Sequence, residues 1–259
     1  MTMEAVKNVR VIPRLDVKAP NVVKGINLEG LRVVGKPDEL ARKYYEDGAD
    51  EILYMDIVAS LYGRNNLAEI VEKASDEIFV PLTVGGGIRS IEDIQRLLRA
   101  GADKVAINTA ATKTPALITE AAKRFGSQCI VISIEAKTVG AGCWEAYTDN
   151  GREKTGLDAI AWAKQAEDLG AGEILVTSVD REGTKKGYDL ELIKRISSLL
   201  HIPVIACGGA GTLEDVAQAA LEGNADAVSV ATLLHYGKTS VTEIKKFLLG
   251  KGIEVRNSY

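Results

Sequence analysis

Short runs of apolar, mostly β-branched residues alternate along the chain with longer segments whose apolar residues recur every three or four positions. The short runs predict strands at 9–16, 51–56, 81–85, 104–108, 129–135, 173–178, 203–207 and 226–230. The run Cys-Ile-Val-Ile-Ser-Ile that opens at Cys129 is almost wholly apolar. That suits a parallel strand buried on both faces better than a sheet wet on one side. The longer segments predict helices. Ser90 caps one over 91–100, with Asp93 at the reciprocal position of a capping box and Ile91, Ile94, Leu97 and Leu98 on one face. Thr114 and Pro115 open a second, running through Phe125 and stopped by Gly126. Thr212 with Asp215 opens a third that ends near Gly223, and Pro37 opens an early one that stops at Gly48. Further helices are expected at 157–169, 190–199 and 241–249. The longest loops are expected at 18–36 and 138–155. Eight strands, each followed by a helix, predict a single α/β domain, a (β/α)8 TIM barrel. The length of 259 residues is ordinary for that fold.

An internal repeat strengthens the barrel reading. Gly-Ala-Asp-Glu-Ile-Leu from Gly48 returns 122 residues later as Gly-Ala-Gly-Glu-Ile-Leu from Gly170. PLTVGGG from Pro81 returns at the same offset as PVIACGG from Pro203. Leu15-Asp16-Val17-Lys18 pairs with Ile134-Glu135-Ala136-Lys137, and Ala102-Asp103 with Ala225-Asp226. Two similar (β/α)4 halves, about 9–125 and 129–250, explain all four matches, which a doubly wound sheet would not require.

Composition narrows the class. Lys plus Arg total 32 against 36 Asp plus Glu, a net charge of −4, so the basic excess of a duplex-binding protein is absent. No apolar run is long enough for a bilayer, and residues 1–10 have no apolar core like that of a signal peptide. A cytoplasmic protein without nucleic-acid or membrane partners is expected. Cys129, Cys143 and Cys207 are odd in number and widely spaced, which supports neither a disulfide framework nor a zinc knuckle. With two histidines, His201 and His235, a multi-histidine metal centre is not expected, and both read as structural or solvent-facing. No metal or cofactor is called for.

In such barrels the C-terminal strand ends carry the chemistry. Read in order they offer Asp16, Asp56, Gly86 and Gly87, Asn108 and Thr109, Glu135, Ser178 with Asp180, Gly208 and Gly209, and Ala231 with Thr232. The two glycine clusters sit on strands three and seven. Their N–H groups can hold phosphate without interference from a Cβ, so the pair predicts a ligand with a phosphate at each end. Tight turns are the plain alternative for either cluster alone. Asp16 and Glu135 occupy equivalent positions in the halves and suit general acid–base work, the competing reading being that each holds a loop lysine such as Lys18 or Lys137. Asp56 is equally consistent with a structural and a functional role. At the opposite face Arg10, Glu51, Lys104 and Glu173 lie near strand starts. Solvated strand-start charges are the plain reading of these four. Glu51 and Asp56 break simple alternation, which predicts an irregularity in strand two.

The motifs LDVK (15–18), VVKG (22–25), ADEILYMDI (49–57), TVGGGI (83–88), GADKVAINTAA (101–111), FGSQ (125–128), GAGEIL (170–175), DREGTKKGYD (180–189) and CGGAG (207–211) together resemble the HisF family. Its members are the cyclase subunits of imidazole glycerol phosphate synthase. The resemblance covers essentially the whole chain. It implies an enzyme of histidine biosynthesis that uses ammonia from a glutaminase partner of the HisH type docked on the N-terminal face of the barrel. Ammonia crosses the barrel and converts a bis-phosphorylated aminoimidazole ribulotide (PRFAR) to imidazole glycerol phosphate and AICAR. By this resemblance Asp16 and Glu135 are catalytic. Lys24, Gly86, Gly87, Asn108, Thr109, Asp180, Gly183, Thr184, Gly208, Gly209, Ala231 and Thr232 bind the substrate and its phosphates. Arg10, Glu51, Lys104 and Glu173 form an ammonia gate, and Asp103 belongs to the partner interface.

The chain departs from the family pattern at four places. Glu135 stands where Asp is usual, Val58 where Thr is usual, Arg14 where a small residue is usual, and LRVVGKP (31–37) is less acidic. Alternation points Arg14 into the barrel one layer below Asp16, where it could draw either carboxylate toward it. These changes also suit a HisF-like paralogue that conducts ammonia to a separate nucleotide-sugar amidotransferase without cyclising anything. A stand-alone isomerase of a bis-phosphate sugar is disfavoured, because it needs no charged floor.

Overall fold

The computed structural model describes residues 8–59 and 67–256, so residues 1–7 of the amino-terminal reading lie outside it. Eight parallel strands close on themselves in the order β1 (Arg10–Lys18), β4 (Ile52–Asp56), β5 (Leu82–Gly85), β6 (Lys104–Ile107), β7 (Ile130–Gly140), β10 (Glu173–Ser178), β11 (Val204–Cys207) and β12 (Ala227–Val230). Closure is seen in the register, where Arg10 pairs with Ala227 on one side of β1 and Arg14 with Leu53 on the other. The fold is the predicted (β/α)8 barrel, and every predicted strand is present to within a residue or two at its start. Side chains alternate as strand geometry demands. Val11, Leu15 and Val17 of β1 point outward into the apolar layer beneath the helices. Ile12 joins Leu53, Met55, Ala106, Val131, Leu175 and Ile205 in the barrel interior.

Helices α1 (Pro37–Glu46), α2 (Leu67–Ser75), α3 (Ile91–Arg99), α4 (Thr109–Lys113), α5 (Ala116–Phe125), α6 (Ala159–Asp168), α7 (Leu190–Leu199), α8 (Leu213–Leu221), α9 (Thr232–His235) and α10 (Val241–Gly250) connect the strands. Thr212 and Asp215 close a full capping box on α8. At α3 the box is half made. Ser90 accepts the N–H of Asp93, but the Asp93 carboxylate takes the Arg89 N–H at 3.0 Å. Three helices escape the sequence pattern. The expected set contains none between strands two and three, where α2 lies. Helices α4 and α9 have five and four residues, too few to show a period.

Both expected long loops hold ordered hairpins. Residues 18–36 form β2 (Asn21–Ile26), antiparallel to the end of β1, and β3 (Glu29–Gly35), antiparallel to β2. Residues 138–155 contain all of β8 (Cys143–Thr148) and the start of β9 (Glu153–Asp158), extending β7. Their turns use positive φ at Asn27 and Leu28 and at Asp149 and Asn150, and β3 and β9 are largely exposed. Wet strands lack the apolar run that marks a barrel strand, which is why they read as loops. The irregularity expected in strand two is absent. Glu51 precedes β4 and shares the inward face with Leu53 and Met55, while Asp56 follows the outward set of Ile52 and Tyr54. The strand pairs with β5 from Ile52 to Met55 without a shift. Among the described residues no helix is long and apolar enough to cross a membrane.

Candidate active site

The barrel floor is a closed ring of charge. The Arg10 guanidinium donates to Glu51 at 2.7 Å and also to Glu173. Lys104 donates to Glu51 at 2.8 Å and to Glu173 at 3.0 Å. Each cation therefore touches both acids. Thr83 adds a hydroxyl to Glu51 at 2.5 Å. Burial works against the charge on Arg10, yet Glu173 and Glu51 outweigh it and its pKa is raised. These are not solvated strand-start charges, since Glu51 and Glu173 are 1% and 4% exposed. Nearby, the exposed Asp103 accepts the N–H of Leu82 at 2.8 Å. Asp50 and Asp226 do the same for Val11 and Val204, so this Asp first of all clasps the adjacent strand.

Above the floor, Arg14 fills the interior. It is 3% exposed. Its Nε donates to Asp16 at 2.7 Å, and its Nη1 reaches Thr177 at 3.1 Å on β10 and the Cys207 thiol at 3.3 Å on β11. A guanidinium can be buried this way only when its donors are met. Burial opposes its charge, but Asp16 and then Cys207 and Glu182 hold its pKa well above the usual value. Asp16 Oδ2 lies 3.6 Å from Lys24, which hydrogen-bonds Glu182. Burial alone would raise the pKa of Asp16. Arg14 and Lys24 overcome it, and the pKa is lowered.

At the mouth the two halves differ. In the first, Gly86, Gly87, Asn108, Thr109 and Glu135 line an open cavity of about 400 Å³, with Asp56, Arg89, Lys113 and Asn150 also on its wall. Gly86 has φ +100°, and a Cβ there would run into the Asp56 carbonyl, so the cradle needs glycine. The Glu135 carboxylate accepts the Gly151 N–H at 2.8 Å. Burial, only partly offset by that bond and by Arg14, pushes its pKa up to about 7. Asp56 caps its own turn, accepting from Val58 and Ala59 at 3.0 and 2.9 Å, and burial raises its pKa.

In the second half, Gly183, Gly208, Gly209, Ala231 and Thr232 come together with Glu182 around a space of about 10 Å³, about the room one water needs. The β2–β3 hairpin packs against its Glu182–Gly183 edge. Asn27 donates its N–H to Glu182 O at 2.8 Å, and a Cβ on Gly183 would strike the Gly25 carbonyl. Lys24 is thus buried under the hairpin, away from the open cavity. Asp180 and Thr184 face neither cavity. Asp180 accepts the Thr138 N–H at 2.8 Å, and Thr184 bonds back to Arg181 O at 2.7 Å. Glu182 was missed as a site residue; it sits in a turn, where alternation gives no direction. His235 is half-buried, shares a 2.7 Å hydrogen bond with Tyr44 through Nδ1, and desolvation lowers its pKa to about 4, while His201 is exposed. Both fit the structural or solvent-facing reading. Among the described residues no group of three or more His, Cys, Asp or Glu could hold a metal ion.

The chain is similar to known proteins over most of its length. A model of the histidine biosynthesis protein family matches residues 10–240. Imidazole glycerol phosphate synthase subunit HisF of Legionella pneumophila is 64% identical over 208 residues, covering 80% of this chain and 98% of that protein. The same-named subunit of Dehalococcoides mccartyi is 54% identical over 249 residues, covering 96% of this chain and 98% of that protein.

Proposed function

Because the chain belongs to the histidine biosynthesis protein family, we propose that it is the HisF-type cyclase subunit of imidazole glycerol phosphate synthase. It takes ammonia from a glutaminase subunit of the HisH type and a bis-phosphorylated aminoimidazole ribulotide, and releases imidazole glycerol phosphate and AICAR. The observation that carries the reading is the alignment of three layers on one barrel axis. They are the floor ring of Arg10, Glu51, Lys104 and Glu173, the buried Asp16, and the cavity holding Glu135.

In this reading the glutaminase seats on the N-terminal face around Asp103, and ammonia enters through the ring. Asp16, kept ionised by Arg14 and Lys24, is the base. Glu135, half protonated near neutrality, donates and recovers the proton. One substrate phosphate lies on Gly86, Gly87, Asn108 and Thr109. The other lies on Gly183, Gly208, Gly209, Ala231 and Thr232, where Lys24 must exchange Glu182 for the ligand. Asp180 and Thr184 support that turn. The equivalence of the two cradles follows from the two half-barrels, 9–125 and 129–250. The enzyme works in the cytoplasm and needs no cofactor.

A second reading, an ammonia-conducting subunit without cyclase chemistry, is favoured by one observation. Asp16 lines neither the open cavity nor the second cradle, its two oxygens being turned to Arg14 and Lys24. Turnover of the ribulotide with ammonium salt, without any partner, decides between them. Product formation supports the cyclase, and a folded protein with no turnover refutes it.

A further inference from the structure

Arg14 and Asp16 are two positions apart on the inward face of β1, and every other partner of the Arg14 guanidinium lies on a different strand. Its planar fork ties β1 to Thr177 on β10 and to Cys207 on β11, so it has little freedom to turn. One Asp16 oxygen is thereby fixed on Nε, and the other is left facing Lys24 at 3.6 Å. Glu135 is treated differently. Among the described residues no cation hydrogen-bonds it, and its contact is the neutral Gly151 N–H at 2.8 Å.

We propose that Arg14 is a positioning residue for the carboxylate pair: fastened to Asp16 from inside the barrel, it fixes Asp16 as the anionic member, the base, turned toward Lys24 and leaves Glu135, on the open cavity, as the acid that supplies a proton.

The surrounding charges agree with this division. Asp16 is faced by Arg14 on its own strand, Lys24 from β2, Glu182 from the turn after β10 and His235 from α9. Two of these are firmly cationic, and His235 is held neutral by burial. Glu135 is faced by Arg14, which no hydrogen bond joins to it, and by the like charges of Asp149 from the β8–β9 turn and Asp16. An apolar side chain could fill the same volume at lower desolvation cost. It could not bind one carboxylate in preference to its counterpart. The role of Arg14 in turnover rests on the cyclase reading above, whereas its hold on Asp16 does not.

The test uses the whole protein, with carboxyl carbons observed by NMR across pH, in wild type, Arg14→Met and Arg14→Lys. An opposite charge at this range lowers a carboxyl pKa by about 1–3 units. In Arg14→Met the Asp16 titration is expected to rise by about that much. Arg14→Lys, which returns the charge without the fork, brings it back down. In parallel, ammonia-dependent cyclase turnover of Arg14→Met should lose on the order of 100-fold in kcat, the cost of about 1 Å of misplacement, with KM within a few-fold. Arg14→Lys should recover part of that loss. An Asp16 titration unmoved in Arg14→Met overturns the proposal. Should Arg14→Met fail to fold, Arg14→Gln, which keeps a donor without the charge, carries the same titration. A wild type silent in the cyclase assay refutes the cyclase reading, and the titration still decides Arg14.

Discussion

The Glu135 carboxylate accepts the backbone N–H of Gly151 at 2.8 Å, which ties the middle of β7 to the β8–β9 turn. That one bond does not offset burial, and Glu135 titrates at about 7 instead of 4.5. Between those values the folded protein holds a proton that the unfolded chain has released. Stability therefore falls as pH rises from about 4.5 to about 7. Asp16 acts in the opposite sense. Its lowered pKa adds stability above its unfolded value of 3.8, which is lost as pH falls through the folded one. Denaturant unfolding at pH 5 and pH 8 should show the wild type losing on the order of 2–3 kcal/mol on the Glu135 account, and Glu135→Gln should not show that loss. Equal losses in both proteins would mean that Glu135 ionises freely in the fold.

The two glycine cradles should differ in how they take an anion. Crystals grown with inorganic phosphate are expected to show density at Gly86–Gly87 and Thr109 with little rearrangement, because that cavity is already open. Density at Gly208–Gly209 and Thr232 should come with displacement of the Glu182 side chain from Lys24, because that space is nearly filled. Ordered anions at neither cradle would count against the phosphate assignment.

Backbone geometry separates two glycines. Gly86→Ala meets both a φ of +100° and the Asp56 carbonyl, whereas Gly30 has φ +62° and open space around it. Gly30→Ala should cost about 1 kcal/mol, the left-handed penalty alone. Gly86→Ala should cost several times that and abolish phosphate binding at the first cradle. Thermal unfolding of the two variants checks the order.

At the floor, Lys104→Ala leaves Glu51 and Glu173 with Arg10 as the remaining ring cation. Lys104 is partly exposed, so solvent softens the loss to about 1–3 kcal/mol. The functional consequence should be larger. Glutamine-dependent turnover in the complex should fall well below ammonia-dependent turnover. If the two activities stay matched, the ring does not gate ammonia.

The barrel, its strand ends and most helix starts are legible along the chain, because parallel strands buried on both faces are written as apolar runs and helix caps are local. So is the inward placement of Arg14, since alternation along β1 is local too. Which acid Arg14 holds is set by packing across the closed barrel. Asp16 is its neighbour on one strand, while Glu135 stands on β7 with an N–H from the β8–β9 turn, and no pattern along the chain contains that competition. The same is true of the mouth. Hairpins made of half-wet strands read as loops, and Glu182 sits in a turn without periodicity. That Lys24 meets Glu182, 158 positions away at the edge of the nearly filled cradle, follows from how β2 folds back over the barrel. Local patterns fix elements; distances between charges are fixed only when the strands close.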